Sequence, residues 1–423
     1  MREHSFGGTR YPRILSALFF VLSLSNQGCA PAGTVDPTAT QRDSVGLVIV
    51  ENSPGMALNP NGWSVDLEPY LSIGDVDGTE DTFLYQVMGA HSLPDGGVAV
   101  VNAGTREVRI YDATGSPVNA IGREGEGPGE FGWMTLGGVL GEDTLVILDP
   151  RLRRLSLVHP KDGFIRSAVV APEVSQTVYA SGVFSNGTIL FGQGARPALY
   201  EGFKEGVYRR PEPYRVCDLE GKLAGDLGEK PGVEADLRIV ENMSTGEPGV
   251  REQILWFGKQ PEAIASGDRF YYGSQDNFEI EVMDPQGTIL RLIRVLVDPV
   301  PLTREVWESY VDSFVEEVAR DSDHAREMRA RMEWGSVALP HSFPAHGDLK
   351  VDALGLLWVE EYLIPGEETP VWSVFDRDGV RLARVILPRS VQVLEIGSDH
   401  LIGLIRDEYE VEYVRLFRLR RGG

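Results

Sequence analysis

The chain of 423 residues has a formal net charge of −23, and its 42 % hydrophobic and 24 % charged residues are those of a soluble globular protein. The acidic excess excludes binding of nucleic acid through its phosphates and disfavours electrostatic docking to anionic lipid, because both need a basic face. With 48 Gly and 26 Pro, the chain is expected to contain many tight turns and few long helices.

The N-terminal segment has the features of a signal peptide. Arg2, Arg10 and Arg13 form a basic start, and residues 14–24 form an apolar run. That run is too short to span a bilayer as a helix. We therefore expect residues 1–29 to be a signal peptide and not part of the fold.

The end of this segment, SLSNQGC, resembles a bacterial lipobox, in which the cysteine becomes the lipidated N-terminus. Lipoboxes usually have Leu three residues before the cysteine, where this chain has Asn26. We expect lipidation of Cys29 and hence an extracytoplasmic lipoprotein anchored to a membrane. The alternative is ordinary cleavage after Ala32, which gives a secreted or periplasmic soluble protein that starts at Gly33.

Residues 30–45 are rich in Pro, Thr and Ala, so we expect a flexible tether there and a folded domain over residues 46–423. If Cys29 carries lipid, the second cysteine, Cys217, has no cysteine to pair with. Cys217 lies in an apolar stretch, which favours a buried and unreactive thiol.

A repeated strand pattern begins near residue 90. An apolar strand opened by a Gly or Asp turn occurs at 96–102, 143–149, 187–193, 268–274, 355–361 and 399–405. A second strand ending in Asp-x-x-Gly occurs at 108–115, 214–221, 280–287 and 372–379, with a looser copy at 155–163. In these turns we expect Asp to accept hydrogen bonds from the amides ahead of it and Gly to be left-handed. A third strand follows the turn, and the final copy lies at 409–420.

The glycine-rich run AIGREGEGPGEFGWM at 120–134 is expected to join two repeats and not to bind phosphate. It lacks the Lys-Ser or Lys-Thr of a Walker loop, and Glu130 stands where a dinucleotide-binding loop needs its third Gly. Glu124 and Glu126 add negative charge that would repel a phosphate. We expect the run to lead from the outer strand of one sheet to the next sheet, with Phe131 packed between them.

These repeats predict an all-β fold, a six-bladed β-propeller made of four-stranded blades. Strands at 46–52 and 63–74 precede the first complete repeat, and the last repeat lacks outer partners. We therefore expect N- and C-terminal strands to close the ring in one shared blade, which removes exposed sheet edges.

Residues 302–335 interrupt the β pattern with a predicted helical insertion. Thr303 is the predicted cap of a first helix, whose apolar stripe includes Trp307. Asp323 is the predicted cap of a second helix, which ends at Gly335. We expect a helical hairpin packed on the propeller; a lid or partner-docking element is the alternative.

The stretch at 96–131 resembles an NHL repeat, whose pattern runs from a strand and an Asp or Asn to a strand ending in Asp-x-x-Gly and then to G-x-G-x-G-P-G-x-F. The chain as a whole resembles the six-bladed β-propeller lipoproteins of bacteria, many of them of uncharacterised function. The close match covers about one blade, and the later blades lack the glycine-rich loop. The resemblance implies the fold and says little about activity.

The sequence contains no G-x-S-x-G nucleophile elbow and no H-E-x-x-H pair, so we predict no catalytic residue. Some six-bladed propellers are calcium-dependent lactonases that hold the metal in the central channel with carboxylates and amides. By that resemblance, Asn102, Asp149 and Glu360 are weak candidates for channel ligands, because each ends a copy of the same strand. No other cofactor is predicted.

We therefore favour a non-enzymatic, monomeric binding or scaffold module that holds a protein or glycan partner on a propeller face. The alternative is a calcium-dependent hydrolase or lyase with its site in the central channel. A nucleic-acid partner is expected in neither case.

Overall fold

The computed structural model describes residues 39–59, 62–75, 82–174, 179–192, 205–241, 246, 248–319, 321–389 and 391–422. The predicted signal peptide, Cys29 and the first part of the predicted tether lie outside these residues. Two compact units can be distinguished. One contains residues 302–337, and the other contains the rest of the described chain.

The larger unit is mostly β-structure and begins with four short strands. They are β1 (Ala39–Ser44), β2 (Leu47–Asn52), β3 (Ser64–Val65) and β4 (Leu71–Ile73). β1 and β2 form an antiparallel hairpin. Because β1 begins inside the segment expected to be a tether, the tether prediction is confined to the residues before this strand.

The rest of this unit consists mainly of antiparallel runs of consecutive strands, which we call repeats I to VI. Repeat I contains β5 (Val87–Ser92), β6 (Val98–Asn102), β7 (Glu107–Tyr111) and β8 (Pro117–Ile121). Repeat II contains β9 (Thr135–Leu140), β10 (Thr144–Asp149), β11 (Arg154–His159) and β12 (Gly163–Val169). Repeat III contains β13 (Ala180–Phe184), β14 (Ile189–Phe191), β15 (Gly206–Cys217) and β16 (Leu223–Glu241), and β17 (Pro248–Ile254) extends it.

The second half of the chain continues in the same way. Repeat IV contains β18 (Glu262–Gly267), β19 (Arg269–Gly273), β20 (Glu279–Met283) and β21 (Ile289–Val295). Repeat V contains β22 (Leu349–Val351), β23 (Leu357–Glu360), β24 (Val371–Phe375) and β25 (Arg381–Ile386). Repeat VI contains β26 (Gln392–Ile396), β27 (His400–Arg406) and β28 (Glu412–Arg420).

The strand copies found in the sequence all correspond to strands of these repeats. The copies of the apolar strand are the second strands, and the copies that end in Asp-x-x-Gly are the third strands. The strands predicted after these turns are β8, β12, β21 and β25. The first strand of each repeat was not recognised in the sequence pattern.

The Asp-x-x-Gly turns have the expected geometry. In repeat I, Asp112 accepts hydrogen bonds from the amides of Thr114 (2.8 Å) and Ser116 (3.0 Å), and Gly115 has φ +82°. In repeat V, Asp376 accepts from Asp378 and Val380 at 2.9 Å in the same way. The shared side-chain geometry explains why this four-residue signature recurs along the chain.

The N-terminal strands pair with two different repeats. β3 and β4 pair antiparallel with β28, through Val65↔Leu419 and Ile73↔Val414, as predicted for strands at 63–74. The prediction for 46–52 was wrong, because β2 runs parallel to β21 of repeat IV, with Ile49 opposite Leu292. In that position β2 covers the outer edge of repeat IV, which would otherwise expose unpaired backbone groups.

Repeats III and IV are hydrogen-bonded to each other. Their first strands β13 and β18 pair in parallel, with Val183 opposite Ser266, and join both repeats into one 11-stranded sheet. The sequence pattern did not predict the long hairpin of β15 and β16, since Pro211, Pro213 and Pro231 argue against extended strands. The register shifts beside these prolines in β15.

Buried hydrophobic clusters connect each repeat to the next. Ile110 of repeat I and Ile147 of repeat II belong to one such cluster, which also contains Phe131. Further clusters join II to III, III to IV, IV to V and V to VI. A last cluster joins repeat VI to repeat I and contains Leu404 and Val100.

The glycine-rich run connects β8 to β9, as predicted for a joint. Phe131 is fully buried between repeats I and II. Its amide donates to the carbonyl of Arg123 (2.9 Å), and the Arg123 guanidinium bonds Glu130 at 2.7–2.9 Å. Glu130 also accepts from the amide of Gly127 (2.8 Å), so both of its carboxylate oxygens form hydrogen bonds within the loop.

The smaller unit contains two helices, α1 (Arg304–Val318) and α2 (Ser322–Arg331). Thr303 caps α1 as predicted. The predicted cap of α2 was wrong: Asp321 accepts from two amides of the first turn and takes that role instead of Asp323. The Trp307 indole donates to the Met332 carbonyl (2.8 Å) and ties the helices together. Neither described helix is long and apolar enough to cross a membrane.

Candidate functional site

The first strands of four repeats line a cleft of about 230 Å³. Because β22, β26, β5 and β9 come from repeats V, VI, I and II, the cleft exists only when distant parts of the chain meet. Its lining residues are Val87, Met88, Gly89, Leu136, Lys350, Gln392, Val393 and Leu394. We call this space the first-strand cleft.

Bulges shape the strands that line this cleft. The register of β5 shifts between Val87 and Ala90, so that Met88 and Gly89 have no partner residues in β6. Leu394 is skipped in the same way where β26 pairs with β27. Gly89 has φ +150°, and a Cβ atom there would lie 2.5 Å from the Cβ of Leu136. Glycine is therefore needed for β5 and β9 to approach each other.

Lys350 is the one charged side chain among the residues that line the first-strand cleft. Within the part of the chain that the structure describes, its ammonium group makes no ion pair. The remaining side chains of the lining are apolar apart from Gln392. The lining residues are thus mainly aliphatic by type, but polar atoms of the backbone, Lys350 and Gln392 make up most of the surface exposed to the cleft.

Next to the cleft, Glu395 lies between two histidines. β26 and β5 bring its carboxylate to His91 Nδ1 and to the Ser92 hydroxyl, both at hydrogen-bond distance. His91 Nε2 bonds the carbonyl oxygen of Glu142 at 2.9 Å. His400 lies 3.7 Å from Glu395 through Nε2 and 3.0 Å from Asp399 through Nδ1. We call these residues the histidine–glutamate cluster.

The contacts of the histidine–glutamate cluster favour its charged forms. Burial opposes a charge on His91, but the hydrogen bond and the negative charge of Glu395 outweigh it and raise the pKa of His91. The pKa of His400 is raised in the same way, against burial, by Glu395 and Asp399. Burial alone would raise the pKa of Glu395, yet contacts with both histidines and Ser92 lower it to about 2.

This geometry assigns the cluster a structural role. His91 contacts an acceptor with each ring nitrogen, which suits an imidazolium that donates twice. The Ser92 hydroxyl bonds the carboxylate and not an imidazole, so the arrangement that activates a serine nucleophile is missing here. The cluster is best described as a charged cross-link between repeats VI, I and II.

The predicted channel ligands hold the chain where it enters a repeat. The Asn102 side chain accepts from the amide of Tyr85 (2.8 Å), just before β5. Asp149 accepts from the amides of Gly132 (2.7 Å) and Trp133 (3.3 Å), just before β9. Glu360 accepts from the amide of Asp348 (3.2 Å), just before β22.

These bonds leave the three residues apart, each within its own repeat. Asp149 also accepts from the amides of Arg151 (3.0 Å) and Leu152 (2.9 Å), so both of its oxygens are engaged by backbone groups. Across the described ranges no group of three or more His, Cys, Asp or Glu is placed to hold a metal ion. The common position at a strand end reflects a shared hydrogen-bonding task in the repeats.

Two further residues with shifted pKa values, Cys217 and His346, are buried. Cys217 is fully buried, and burial raises the pKa of its thiol to about 12, which agrees with an unreactive cysteine. His346 is also fully buried, and its Nδ1 bonds the carbonyl of Gly347 (2.9 Å). Desolvation lowers the pKa of His346 to about 4, so this ring is neutral near pH 7.

Sequence reasoning did not identify the cleft or the histidine–glutamate cluster. Met88, Lys350 and Glu395 lie on first strands, which carry none of the repeated motifs. His91 belongs to no local motif, because its partner Glu395 is 304 residues away in the chain. Only the bulge glycines, such as Gly89 within MGAHS, are visible in the sequence as a local sign of unusual strands.

No protein family matches the sequence, and no curated protein matches it significantly. Solved structures with a similar course of the chain include a member of the DUF4221 family from Bacteroides vulgatus, with 10 % identity, a TM-score of 0.49 and coverage of 86 % of this chain and 99 % of that one. A Bacteroides fragilis protein described as exported has 9 % identity, a TM-score of 0.46 and coverage of 88 % and 100 %. Virginiamycin B lyase of Staphylococcus aureus has 11 % identity, a TM-score of 0.37 and coverage of 86 % and 98 %. At these values the likeness carries no information about activity.

Proposed function

We propose that repeats I to VI form a closed six-bladed β-propeller and that the protein is a binding module on the extracytoplasmic side of a membrane, with its ligand site in the first-strand cleft. The cleft carries this proposal, since four repeats contribute to it and it contains Lys350, which makes no ion pair among the described residues. A concave site in which several polar groups converge is a reasonable place for a ligand to bind.

The ring is supported by the order of the hydrophobic clusters. They connect the repeats in chain order, and the cluster with Val100 and Leu404 returns from repeat VI to repeat I. The pairing of β4 with β28 adds the fourth strand to repeat VI from the other end of the chain. In such a ring the first strands surround the axis, and the first-strand cleft lies in the central channel.

The proposed location rests on the N-terminal sequence. A basic start, an apolar run and Cys29 form a lipobox-like signal, and lipidation of Cys29 would anchor the propeller to a membrane. Metabolic labelling with a palmitate analogue checks this proposal: wild-type protein should be labelled and Cys29→Ser should not. An unlabelled mature chain that starts at Gly33 would contradict it.

The alternative of a calcium-dependent hydrolase draws no support from the candidate ligands. The oxygens of Asp149 are engaged by four backbone amides, and Asn102 and Glu360 also bond amides of their own repeats. A ligand set would need these side chains to turn away from the backbone groups that they satisfy.

The binding proposal can be tested by filling the cleft. Met88 is 39 % exposed and lines it, so Met88→Trp should occupy the space without disturbing the core. Val118→Trp is a matched control, because Val118 is 63 % exposed on β8 and is not among the lining residues. Calorimetry with a panel of short peptides and simple saccharides should find a ligand whose affinity falls about tenfold or more in Met88→Trp only. A panel in which no ligand distinguishes the two variants would contradict the proposal.

A further inference from the structure

We infer that an exposed apolar loop at 296–301 lies in the interfacial layer of the bilayer that holds the lipid anchor and thereby orients the propeller on the membrane. This inference rests on the proposed lipidation of Cys29 and goes beyond it, because an anchor alone fixes no orientation. Its support comes from the exposure of the loop, from its distance to the point where the chain enters the fold, and from the pairing of the charges nearby.

The loop follows β21 and exposes a run of apolar side chains. Leu296 is 57 % exposed, Val297 is 44 % exposed and Val300 is 45 % exposed, and the two prolines of the loop are exposed as well. Asp298 is its one charged residue. Exposed apolar residues are normal when they are scattered singly, whereas a contiguous group is typical of a contact surface.

Hydrogen bonds hold both ends of this loop. The amide of Leu296 donates to the carbonyl of Asn52 (3.2 Å), and the carbonyl of Val300 accepts from the amide of Phe343 (2.9 Å). The loop could fold its apolar side chains inward only by breaking these bonds, which would leave backbone groups without partners. It is therefore a defined part of the surface, and contact with a partner does not have to order it first.

The anchored end of the chain enters the fold beside this loop. Ala39 pairs with Asn52, and Asn52 pairs with Val295, so two strand spacings, about 10 Å, separate Ala39 from the residue before the loop. Ten residues lead from Cys29 to Ala39, and a chain of that length spans at most about 36 Å. Lipid on Cys29 would therefore hold the loop within reach of the bilayer surface.

The charges around the entry point are paired, which lowers the cost of bringing them near lipid. Arg42 and Arg294 both contact Glu51, at 3.3 Å and 3.7 Å, and Arg294 also contacts Glu279. These two cations and two anions balance, although the whole chain carries a net charge of −23. That net charge repels anionic lipid and opposes association of two copies, so we assign the loop to zwitterionic lipid.

A fluorophore on the loop tests this inference. The full-length lipidated protein with Leu296→Cys is labelled with the dye NBD and reconstituted into phosphatidylcholine vesicles; Cys217 does not react, because its thiol is buried. Nitroxide-labelled lipid should quench the NBD emission about twofold or more, because the dye lies in the interfacial layer. Val118→Cys is the matched control, since Val118 is 63 % exposed on β8 of repeat I, and its label should be quenched little.

A charge on the loop should remove the quenching. Val300→Asp in the labelled Leu296→Cys protein should reduce it to the level of the control, because a carboxylate resists entry into lipid. Lipidated protein with equal quenching at 296 and 118 would overturn the inference and leave the proposed anchoring intact. If palmitate labelling finds no lipid on Cys29, both fail. If Cys29→Ser protein sediments as a dimer that Val300→Asp dissociates, a second copy covers the loop and the membrane assignment is wrong.

Discussion

His346 and the histidine–glutamate cluster are two shielded histidine environments that hold their rings in opposite charge states. His346 is fully buried, and its Nε2 has no hydrogen-bond partner in the described chain. His91 is also largely shielded, with 17 % of its side chain exposed, but each ring nitrogen contacts an oxygen. Burial alone favours the neutral ring in both places, and the partners of His91 reverse the outcome.

The difference separates two ways of holding adjacent repeats together. The cluster links repeats VI, I and II through charges at the ends of first strands, where water has limited access. His346 fills an apolar position near Gly273 and Phe278, where the segment before repeat V meets repeat IV. The cluster holds repeats together through an ionised His91, whereas the packing around His346 requires a neutral ring.

Removal of the central carboxylate should have the largest effect. Glu395→Gln leaves His91 and His400 shielded without their shared counter-charge, so we expect the free energy of unfolding at pH 6 to fall by about 3 kcal/mol. Urea unfolding followed by tryptophan fluorescence measures this change. Glu142→Gln is the control, because the carbonyl of Glu142 and not its side chain contacts His91. A loss no greater than that of the control would show that the cluster does not hold the repeats together.

The neutral histidine should make the fold sensitive to acid. The pKa of His346 is about 4 in the folded chain, against 6.5 ordinarily, so as pH falls through this window the unfolded chain takes up a proton that the folded chain does not. The stability of the wild type should therefore fall relative to His346→Gln by about 3 kcal/mol between pH 6.5 and 4. Urea unfolding at several pH values gives this difference, and His341→Gln, at an exposed position before it, is the control. Parallel curves for wild type and His346→Gln would refute the assignment.

The contrast also shows which strands can be predicted from the sequence and which cannot. The second and third strands were predictable, because residues such as Asp112 and Gly115 mark their turns locally. The first strands were missed because Gly89, Gly138 and Gly182 interrupt the apolar pattern with positive φ angles. Each of these glycines lets one first strand approach the next closely, which is a property of the assembled repeats.

The site is harder to predict for the same reason. Asn102 and Asp149 share a place in the repeat, and this similarity suggested a common ligand, but each bonds the amides of its own repeat. Lys350 and Met88 share no motif, and they line one cleft because repeats V and I are brought together. A local pattern predicts local hydrogen bonds, whereas a site between repeats depends on how the whole chain closes.

Replacement of His91 should have a smaller effect on the free energy of unfolding, and this effect should decrease as the pH rises. Because the pKa of His91 is raised above 6.5, its bond to Glu395 contributes fully below pH 6.5 and is lost as pH rises through the raised value. His91→Gln should therefore cost about 1 kcal/mol at pH 6 and less at pH 9. Unfolding curves at both pH values measure the difference. A cost that grows with pH would reverse the sign and exclude an imidazolium at this position.

The smallest effect should come from the exposed edge of the cluster. The Asp399 side chain is 86 % exposed, and water competes for its contact with His400 at 3.0 Å. Asp399→Asn should therefore change the free energy of unfolding by about 0.5 kcal/mol or less, although it should lower the pKa of His400 in an NMR titration. If Asp399→Asn destabilises the fold as much as Glu395→Gln does, shielding from water is not what distinguishes the two carboxylates. The strength of the cross-link would then have to come from the number of charges around the imidazole rings and not from their burial.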